Sequence, residues 1–364
     1  MPTAAFSGLS LEATERAAPV ESLDLDDPGW LRFVESQAGA TVFHHPAWSN
    51  LLASSYGRRA FVLAQRSADG AVSAGLPALE MRGSSAGRQI RALPFTDHCP
   101  PLTRSPRQLN GFSRGLLRWM NAHSVERLTV HGALAGLPGI NLAERALRHQ
   151  LSLDGGIETV RERLRGGPVE RAIRKAQRQR LQVRISRAPA DLALFYRLHL
   201  LTRRRLGVPV QPFGFIRKLW KTILGDGLGF VVIASHDGEP VAASLFLAWN
   251  RNLIYKYGAS DTRYWPLRPN QLVIWTAIEW ACARGYRSLD LGRTDFENQG
   301  LRDFKLRWGA VEQPLVYSYI GCSPSEGQGS FPVTAVGRLL RVSPPIVCRL
   351  AGEAVYRYVM ARRS

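Results

Sequence analysis

The chain has 364 residues, of which 45% are hydrophobic, so it is long enough to bury one large core or two ordinary ones and is not a disordered protein. Its apolar runs stay well below the roughly 20 residues that a membrane-spanning helix needs. The formal net charge of +19 favours polyanionic partners, namely RNA, anionic lipid surfaces or phosphorylated ligands.

Residues 1–25 have the composition of a disordered lead-in, and they lack the basic-then-apolar layout of a signal peptide. We therefore expect a cytoplasmic protein. The cysteines are far apart in the sequence, without zinc-ligand or redox spacing, at Cys99, Cys282, Cys322 and Cys348. We expect reduced, mostly buried thiols and no metal site.

The first half of the chain mixes strands with helices. After Asp27-Pro28, the pattern predicts a helix near residues 31–34, strands at 61–65, 72–79 and 90–95, a helix at 109–123, a strand at 127–131 and a helix at 142–153. Strands followed by alternating strands and helices indicate a mixed α/β sheet.

The second half has stronger signals. A basic helix is expected from Pro168 to about residue 182, followed by helices at 190–206 and 214–224, strands at 230–235, 241–249 and 253–258, a helix at 271–284, a strand at 288–291, a helix at 301–308 and a strand at 315–320. Asp237-Gly238 predicts a tight hairpin, because its turn type needs positive φ at both central residues. The helix at 271–284 is apolar on nearly every side, which predicts burial.

The chain ends in a predicted amphipathic helix that begins at Pro344. Its apolar stripe is Ile346, Leu350, Ala354 and Tyr358, and its polar face is Arg349, Glu353 and Arg357. The stripe is expected either to pack on the body of the protein or to lie on an anionic membrane surface.

Several short segments occur together in the order and spacing of a known family. They are Arg171-Ala-Ile-Arg-Lys-Ala176, Leu206-Gly-Val-Pro209, Tyr257-Gly-Ala-Ser260, Arg268-Pro-Asn270, Gly285-Tyr286, Asp290-Leu-Gly-Arg293 and Phe304-Lys-Leu-Arg-Trp-Gly309, with weaker matches at Phe43-His-His-Pro-Ala-Trp48 and Leu93-Pro-Phe95. In these segments the chain resembles the FemAB-like and BioF-like branch of the GNAT acyltransferase superfamily.

The resemblance implies a fold of two tandem GNAT-like α/β domains with mixed sheets, packed side by side, plus the C-terminal amphipathic helix. The expected limits are a lead-in at 1–25, an N-terminal domain at 26–155, a C-terminal domain at 156–322 and a linker with the tail helix at 323–364. We expect the working cleft in the C-terminal domain, near its junction with the first.

The resemblance also implies an activity. Members of the branch transfer an acyl or aminoacyl group, from acyl-CoA or aminoacyl-tRNA, to an amine of a cell-envelope or exopolysaccharide precursor, without a tightly bound cofactor. The amine attacks the carbonyl directly, so the site must position it, remove its proton and stabilise the oxyanion. Where CoA-dependent members have a glycine-rich phosphate loop, this chain reads Trp265-Pro-Leu-Arg-Pro-Asn270, and its prolines lack the N–H donors of such a loop.

Lys305 and Asp290 are the candidate catalytic residues that the resemblance implies. Lys305 lies beside an apolar helical stripe, so it is either a site cation or a surface lysine whose stem covers that stripe. Asp290 ends a strand, where ligands bind in open α/β sheets, and its alternative role is an ion pair with Arg293. We expect Asp290, Arg293 and Lys305 to face one shared space, and Lys305→Ala to cut transfer strongly while leaving stability within about 1 kcal/mol, as for an exposed or half-exposed site.

Tyr257, Ser260, Asn270 and Arg293 are the candidate substrate-binding residues. Tyr257 and Ser260 lie at the end of the strand where GNAT-like enzymes keep an oxyanion donor, although Tyr257 is equally an ordinary strand aromatic. Asn270 precedes a helix and is also a good N-cap.

A basic run between residues 161 and 180 has more than one interpretation. It is typical of a solvated helix face, and it also suits RNA backbone or anionic headgroups. Two other functions therefore stay open beside acyl transfer: an RNA-binding protein, and a GNAT-like scaffold without catalysis in envelope-polymer assembly.

Overall fold

The computed structural model describes residues 18–81, 88–324 and 333–362, and the side chains of all but 333–336 and 357–362 among them. The strands are β1 (Val20–Leu23), β2 (Ala60–Arg66), β3 (Val72–Met81), β4 (Arg88–Arg91), β5 (Val125–Val130), β6 (Ile140–Ser152), β7 (Gln182–Ser186), β8 (Gly229–His236), β9 (Glu239–Trp249), β10 (Asn252–Ser260), β11 (Ser288–Thr294) and β12 (Val311–Ile320). The α-helices are α1 (Pro28–Ser36), α2 (Pro46–Tyr56), α3 (Pro106–Ala122), α4 (Gly156–Leu164), α5 (Pro168–Arg178), α6 (Leu192–Leu206), α7 (Phe213–Leu219), α8 (Pro269–Cys282), α9 (Gln299–Leu306), α10 (Val333–Val342) and α11 (Pro345–Arg362).

The strands form one mixed sheet, in the order β1-β2-β3-β4-β5-β12-β6-β11-β10-β9-β8-β7. Each half of the chain contributes three successive antiparallel strands and then a parallel pair joined through a helix, β4 with β5 through α3 and β10 with β11 through α8. The predicted mixed α/β fold is confirmed, and the strand order repeats between the halves as an internal duplication would.

The centre of the sheet is built from exchanged strands. β6 belongs to the first half of the chain but pairs with β11 and β12 of the second, while β12 pairs with β5 of the first. The prediction of two sheets packed side by side is therefore wrong, because the last strand of each half completes the other half's sheet. The domain limits at 26–155 and 156–322 stay a prediction.

β6 replaces the helix that the sequence predicted at residues 142–153. Its Ala, Leu, Glu, Arg and Gln residues favour helix in isolation. In the fold, the segment hydrogen-bonds to a strand on each side, and Leu147, His149 and Leu151 are buried with a period of two. Tertiary pairing overrides local propensity here.

Other predicted boundaries also change. Val20–Leu23 pairs with β2, so the predicted disordered lead-in is wrong for these residues, and residues 1–17 lie outside the described part. The basic helix predicted from Pro168 to about residue 182 is α5, which ends at Arg178, and the edge strand β7 begins at Gln182. The tail has a second helix, α10, before α11, and most of the predicted linker (325–332) lies outside the described residues.

Helices cover both faces of the sheet in the second half of the chain. α2, α6 and α7 pack on one face, and α4, α5 and α8 pack on the other. α8 is buried on several sides, as predicted. The predicted hairpin between β8 and β9 is confirmed, because Asp237 and Gly238 have φ of 48° and 81°. Among the described helices, none is long and apolar enough to cross a membrane.

We predict that the halves, 18–155 and 156–324, do not fold when they are produced separately, because each lacks the strand that completes its sheet. Circular dichroism and sedimentation of each half test this, with the two halves produced together as the control. A separate half with the cooperative melting transition of a folded domain would contradict the prediction.

Candidate active site

The parallel strands β10 and β11 separate towards their carboxyl ends. Their pairing runs from Asn252 and Ser288 to Ile254 and Asp290, and no further pairing joins them in the described strands. Both strands are irregular where they part, with a register shift around Lys256 in β10 and another before Arg293 in β11. Diverging strands leave backbone groups and a gap between them, which is a suitable place for a reacting carbonyl.

The Asp290 carboxylate is held by two protein partners. Arg148 of β6 donates from Nε to Oδ2 at 2.7 Å, and the Gly292 N–H donates to Oδ1 at 2.8 Å. Both charged side chains are largely buried. The predicted alternative of an ion pair with Arg293 is wrong: Arg293 pairs with Asp295 and donates to the Arg145 carbonyl.

Lys305 is buried, with 3% of its surface exposed. Its ammonium donates to the carbonyls of Gly292 (2.7 Å) and Arg293 (2.9 Å) and to Thr294 Oγ1 (2.9 Å). Burial lowers the pKa of Lys305 to about 8. The expectation of an exposed or half-exposed lysine is therefore wrong, because all three N–H groups of the ammonium are hydrogen-bonded to the end of β11.

Lys305 and Asp290 thus meet around the β11 irregularity, and that they share an open space with Arg293 stays a prediction. Gly292, which has a φ of 78°, lies between the three. Its N–H binds Asp290 and its carbonyl binds Lys305. The two candidate catalytic residues fix the backbone of β11 from opposite sides.

Ser260 and Asn270 join the end of β10 to the first turn of α8. Ser260 Oγ accepts from Asn270 Nδ2 at 3.2 Å and from Trp265 Nε1 at 3.0 Å. Asn270 is not the N-cap that the sequence allowed, since Arg268 has that position and the helix begins at Pro269. Both residues shape the loop beside the gap between the strands.

Lys256 lies at the β10 irregularity and reaches into the N-terminal half. Its ammonium donates to the Phe95 carbonyl at 2.9 Å and lies 5.2 to 5.5 Å from the ring centres of Phe43, Trp48 and Tyr257. Burial lowers its pKa. Tyr257 packs on His199 of α6, and burial raises its pKa. Sequence reasoning missed Lys256, although a lysine in an aromatic strand segment was a signal.

The loop that receives Lys256 has an unusual backbone. Leu93 and Phe95 have positive φ values of 25° and 60°, which residues other than glycine seldom adopt. Nearby, burial lowers the pKa of His98 to about 3 and that of His131 to about 4, so both imidazoles are neutral at pH 7. The two weaker family-like segments, 43–48 and 93–95, thus meet β10 at one point.

A pocket of about 320 Å³ lies between α5, α9 and the N-terminus of α8. It is lined by Pro168, Val169, Arg171, Ala172, Lys175, Arg268, Gln271, Phe304 and Arg307. Four of these residues are cations, all four exposed, and none is acidic. The positive end of the α8 dipole adds to their field, so the pocket suits an anion such as phosphate.

Three of the segments that carry the family resemblance meet at this pocket. Arg171 and Lys175 belong to segment 171–176, Arg268 to segment 268–270, and Phe304 and Arg307 to segment 304–309. The sequence indicated the segments but not that they come together, because they lie about 40 to 100 residues apart.

Comparison with known proteins agrees with this geometry. Residues 163–306 match the family model described as an acetyltransferase (GNAT) domain. No curated protein matches the sequence.

Solved structures extend the likeness to most of the chain. A crystal structure of FemX has 14% identity and a TM-score of 0.66, over 82% of this chain and 97% of that one. L-PGS from Bacillus licheniformis has 15% identity and a TM-score of 0.53, over 92% and 98%. A tandem GNAT protein from the clavulanic acid biosynthesis pathway has 14% and 0.51, over 84% and 99%. At these identities the likeness concerns the fold, and the predicted resemblance to FemAB-like GNAT proteins is confirmed at that level.

We predict that Lys305→Ala lowers the free energy of unfolding by about 2–3 kcal/mol, because it removes a buried ammonium and leaves its acceptors without a donor. Chemical denaturation measures the change. The exposed Lys175→Ala is the control and should stay within about 0.5 kcal/mol of the wild type. An equally small effect for Lys305→Ala would mean that its three hydrogen bonds do not stabilise the fold.

Proposed function

We propose that this chain, whose residues 163–306 match a GNAT acetyltransferase domain and whose fold is like that of FemX, transfers an acyl or aminoacyl group from a phosphate-bearing donor to an amine of a cell-envelope precursor. The observation that carries the proposal is the cationic pocket at the N-terminus of α8, beside the gap between β10 and β11. The resemblance of the sequence segments to the FemAB-like branch supports the envelope as the place of the acceptor.

The donor's phosphates bind the pocket in this proposal. Pro269 at the start of α8 has no N–H and cannot donate to a phosphate. In this proposal the side chains of Arg268 and Arg307 bind the phosphates in place of some of the backbone N–H groups. The acyl group then extends into the gap between the strands, where its carbonyl carbon is open to attack.

The donor is better matched by an aminoacyl-tRNA than by CoA. α5 continues the positive surface beyond the pocket with the exposed Arg178, and Arg180 follows the helix, while Arg174 is paired with Glu170. A long cationic strip suits the repeated phosphates of RNA, whereas CoA has only a pyrophosphate and one further phosphate.

The acceptor amine approaches from the other face of the sheet, where Lys256 and Tyr257 meet the N-terminal half. Lys256 is the extra residue of the β10 bulge and is outside the register with β9. Its backbone N–H is thus the oxyanion donor of this proposal. The buried ammonium of Lys256 adds positive potential there.

Lys305 and Asp290 act as positioning residues in this mechanism. Each is bound to the backbone of β11 at Gly292, so together they set the width of the gap. A displacement of about 1 Å at such a gap is enough to slow a transfer reaction strongly.

We predict that Arg268→Glu with Arg307→Glu weakens donor binding about tenfold or more, because two charge-assisted contacts to phosphate become repulsive. Filter binding of aminoacyl-tRNA and titration with CoA measure it. Arg114→Glu on the exposed surface of α3 is the control for a reversed charge far from the pocket. If the double variant binds both donors like the wild type, the pocket is not the donor site.

The acceptor side of the proposal is tested in cells. Mass spectrometry of envelope precursors from a deletion strain should show the loss of one acyl or aminoacyl substituent on an amine. The double variant Arg268→Glu and Arg307→Glu should fail to restore it, and Arg114→Glu should restore it. Unchanged precursors, with donor binding intact, would favour the RNA-binding or scaffold alternative.

A further inference from the structure

The tail helices α10 and α11 are fixed on α6 and the loop after it by close backbone contacts. A Cβ atom on Gly337 would lie 3.0 Å from the Gly207 carbonyl oxygen, and one on Gly352 would lie 2.2 Å from that of Val210. Leu340 is buried on the same side. The inner face of the tail therefore has small residues, and its orientation on the body is set.

This orientation turns the larger apolar side chains of the tail outwards. The exposed fractions are 63% for Leu339, 76% for Val342, 58% for Ile346, 42% for Val347 and 59% for Leu350. These residues lie on both sides of the turn between α10 and α11. The apolar stripe of α11 that begins with Ile346 and Leu350 was expected either to pack on the body or to lie on a membrane. In the structure, the buried side of α11 contains Cys348 and Gly352 instead.

Part of the polar side of α11 also contacts the body of the protein. The Arg349 guanidinium lies 5.5 Å from the ring centre of Phe213, beside the end of α7 nearest the tail. Tyr356 packs on Phe95 at a centroid distance of 5.2 Å. The apolar side chains are therefore exposed, whereas an amphipathic helix that packs fully on its own domain buries its apolar face.

The charges beside the patch are mostly positive. Arg338 and Arg341 border the apolar side chains in the sequence, whereas Arg349 is paired with Glu353 at 3.7 Å. Apolar side chains rimmed by arginines match the interface of a bilayer with anionic headgroups, since each basic residue near such a surface contributes about 1 kcal/mol.

We propose that the turn between α10 and α11 is a membrane-docking surface that inserts its apolar side chains among the headgroups of an anionic bilayer. Docking at this turn places the rigid body, fixed to the tail through Gly337 and Gly352, in one orientation against the membrane. The attachment is peripheral, with the arginines on headgroup phosphates.

The test uses the full-length protein and vesicles made of equal parts phosphatidylglycerol and phosphatidylcholine, with pure phosphatidylcholine vesicles for comparison. Sedimentation at low salt should show binding to the anionic vesicles only. Val342→Ser with Ile346→Ser should lower the partition coefficient about tenfold, because it removes apolar surface from the interface. Val311→Ser, at a similarly exposed valine on β12, should leave it unchanged.

Two outcomes would overturn the proposal. One is equal binding to both vesicle types, or equal binding by the Val342→Ser, Ile346→Ser variant and the wild type. The other is that the wild type fails to bind vesicles and forms a dimer by light scattering, whereas this variant is a monomer. The patch would then be covered by a second copy of the chain. Thermal melting of every variant checks that the fold is retained.

Discussion

The exchange of β6 and β12 is the constraint on which the rest of the structure depends. Because each of these strands completes the sheet of the opposite half, the halves share one hydrogen-bonded centre. The exchange also sets the ion pair between Arg148 of β6 and Asp290 of β11, which is largely shielded from water. Removing one partner would leave a buried charge uncompensated, a change that commonly costs several kcal/mol. The junction is therefore rigid where the transfer chemistry is proposed.

The sheet separates two polar regions that serve different ends of the proposed reaction. The exposed cations at the N-terminus of α8 lie on the face covered by α5 and α8. Lys256 lies on the opposite face, among aromatic side chains of both halves. In the proposed reaction the gap between β10 and β11 connects them. In that reaction the donor and the acceptor reach one carbonyl from opposite faces of the sheet.

The sequence predicted the local features and missed those that depend on distant contacts. The turn at Asp237-Gly238 follows from backbone preferences, and the buried α8 follows from its apolar composition, so both were predictable. The strand character of β6 was not, because it comes from two neighbouring strands far away in the sequence. Lys305 was placed wrongly for the same reason: its three acceptors belong to another element. The fold family was recognised from short segments, although the pocket that three of them form required the structure.

The most direct test of the account is a structure of the protein bound to a non-hydrolysable aminoacyl-RNA analogue. We expect phosphates against Arg268 and Arg307 and the acyl carbonyl between β10 and β11, within hydrogen-bond distance of the Lys256 N–H. An analogue bound on the other face of the sheet, or with its acyl group outside the gap, would contradict it.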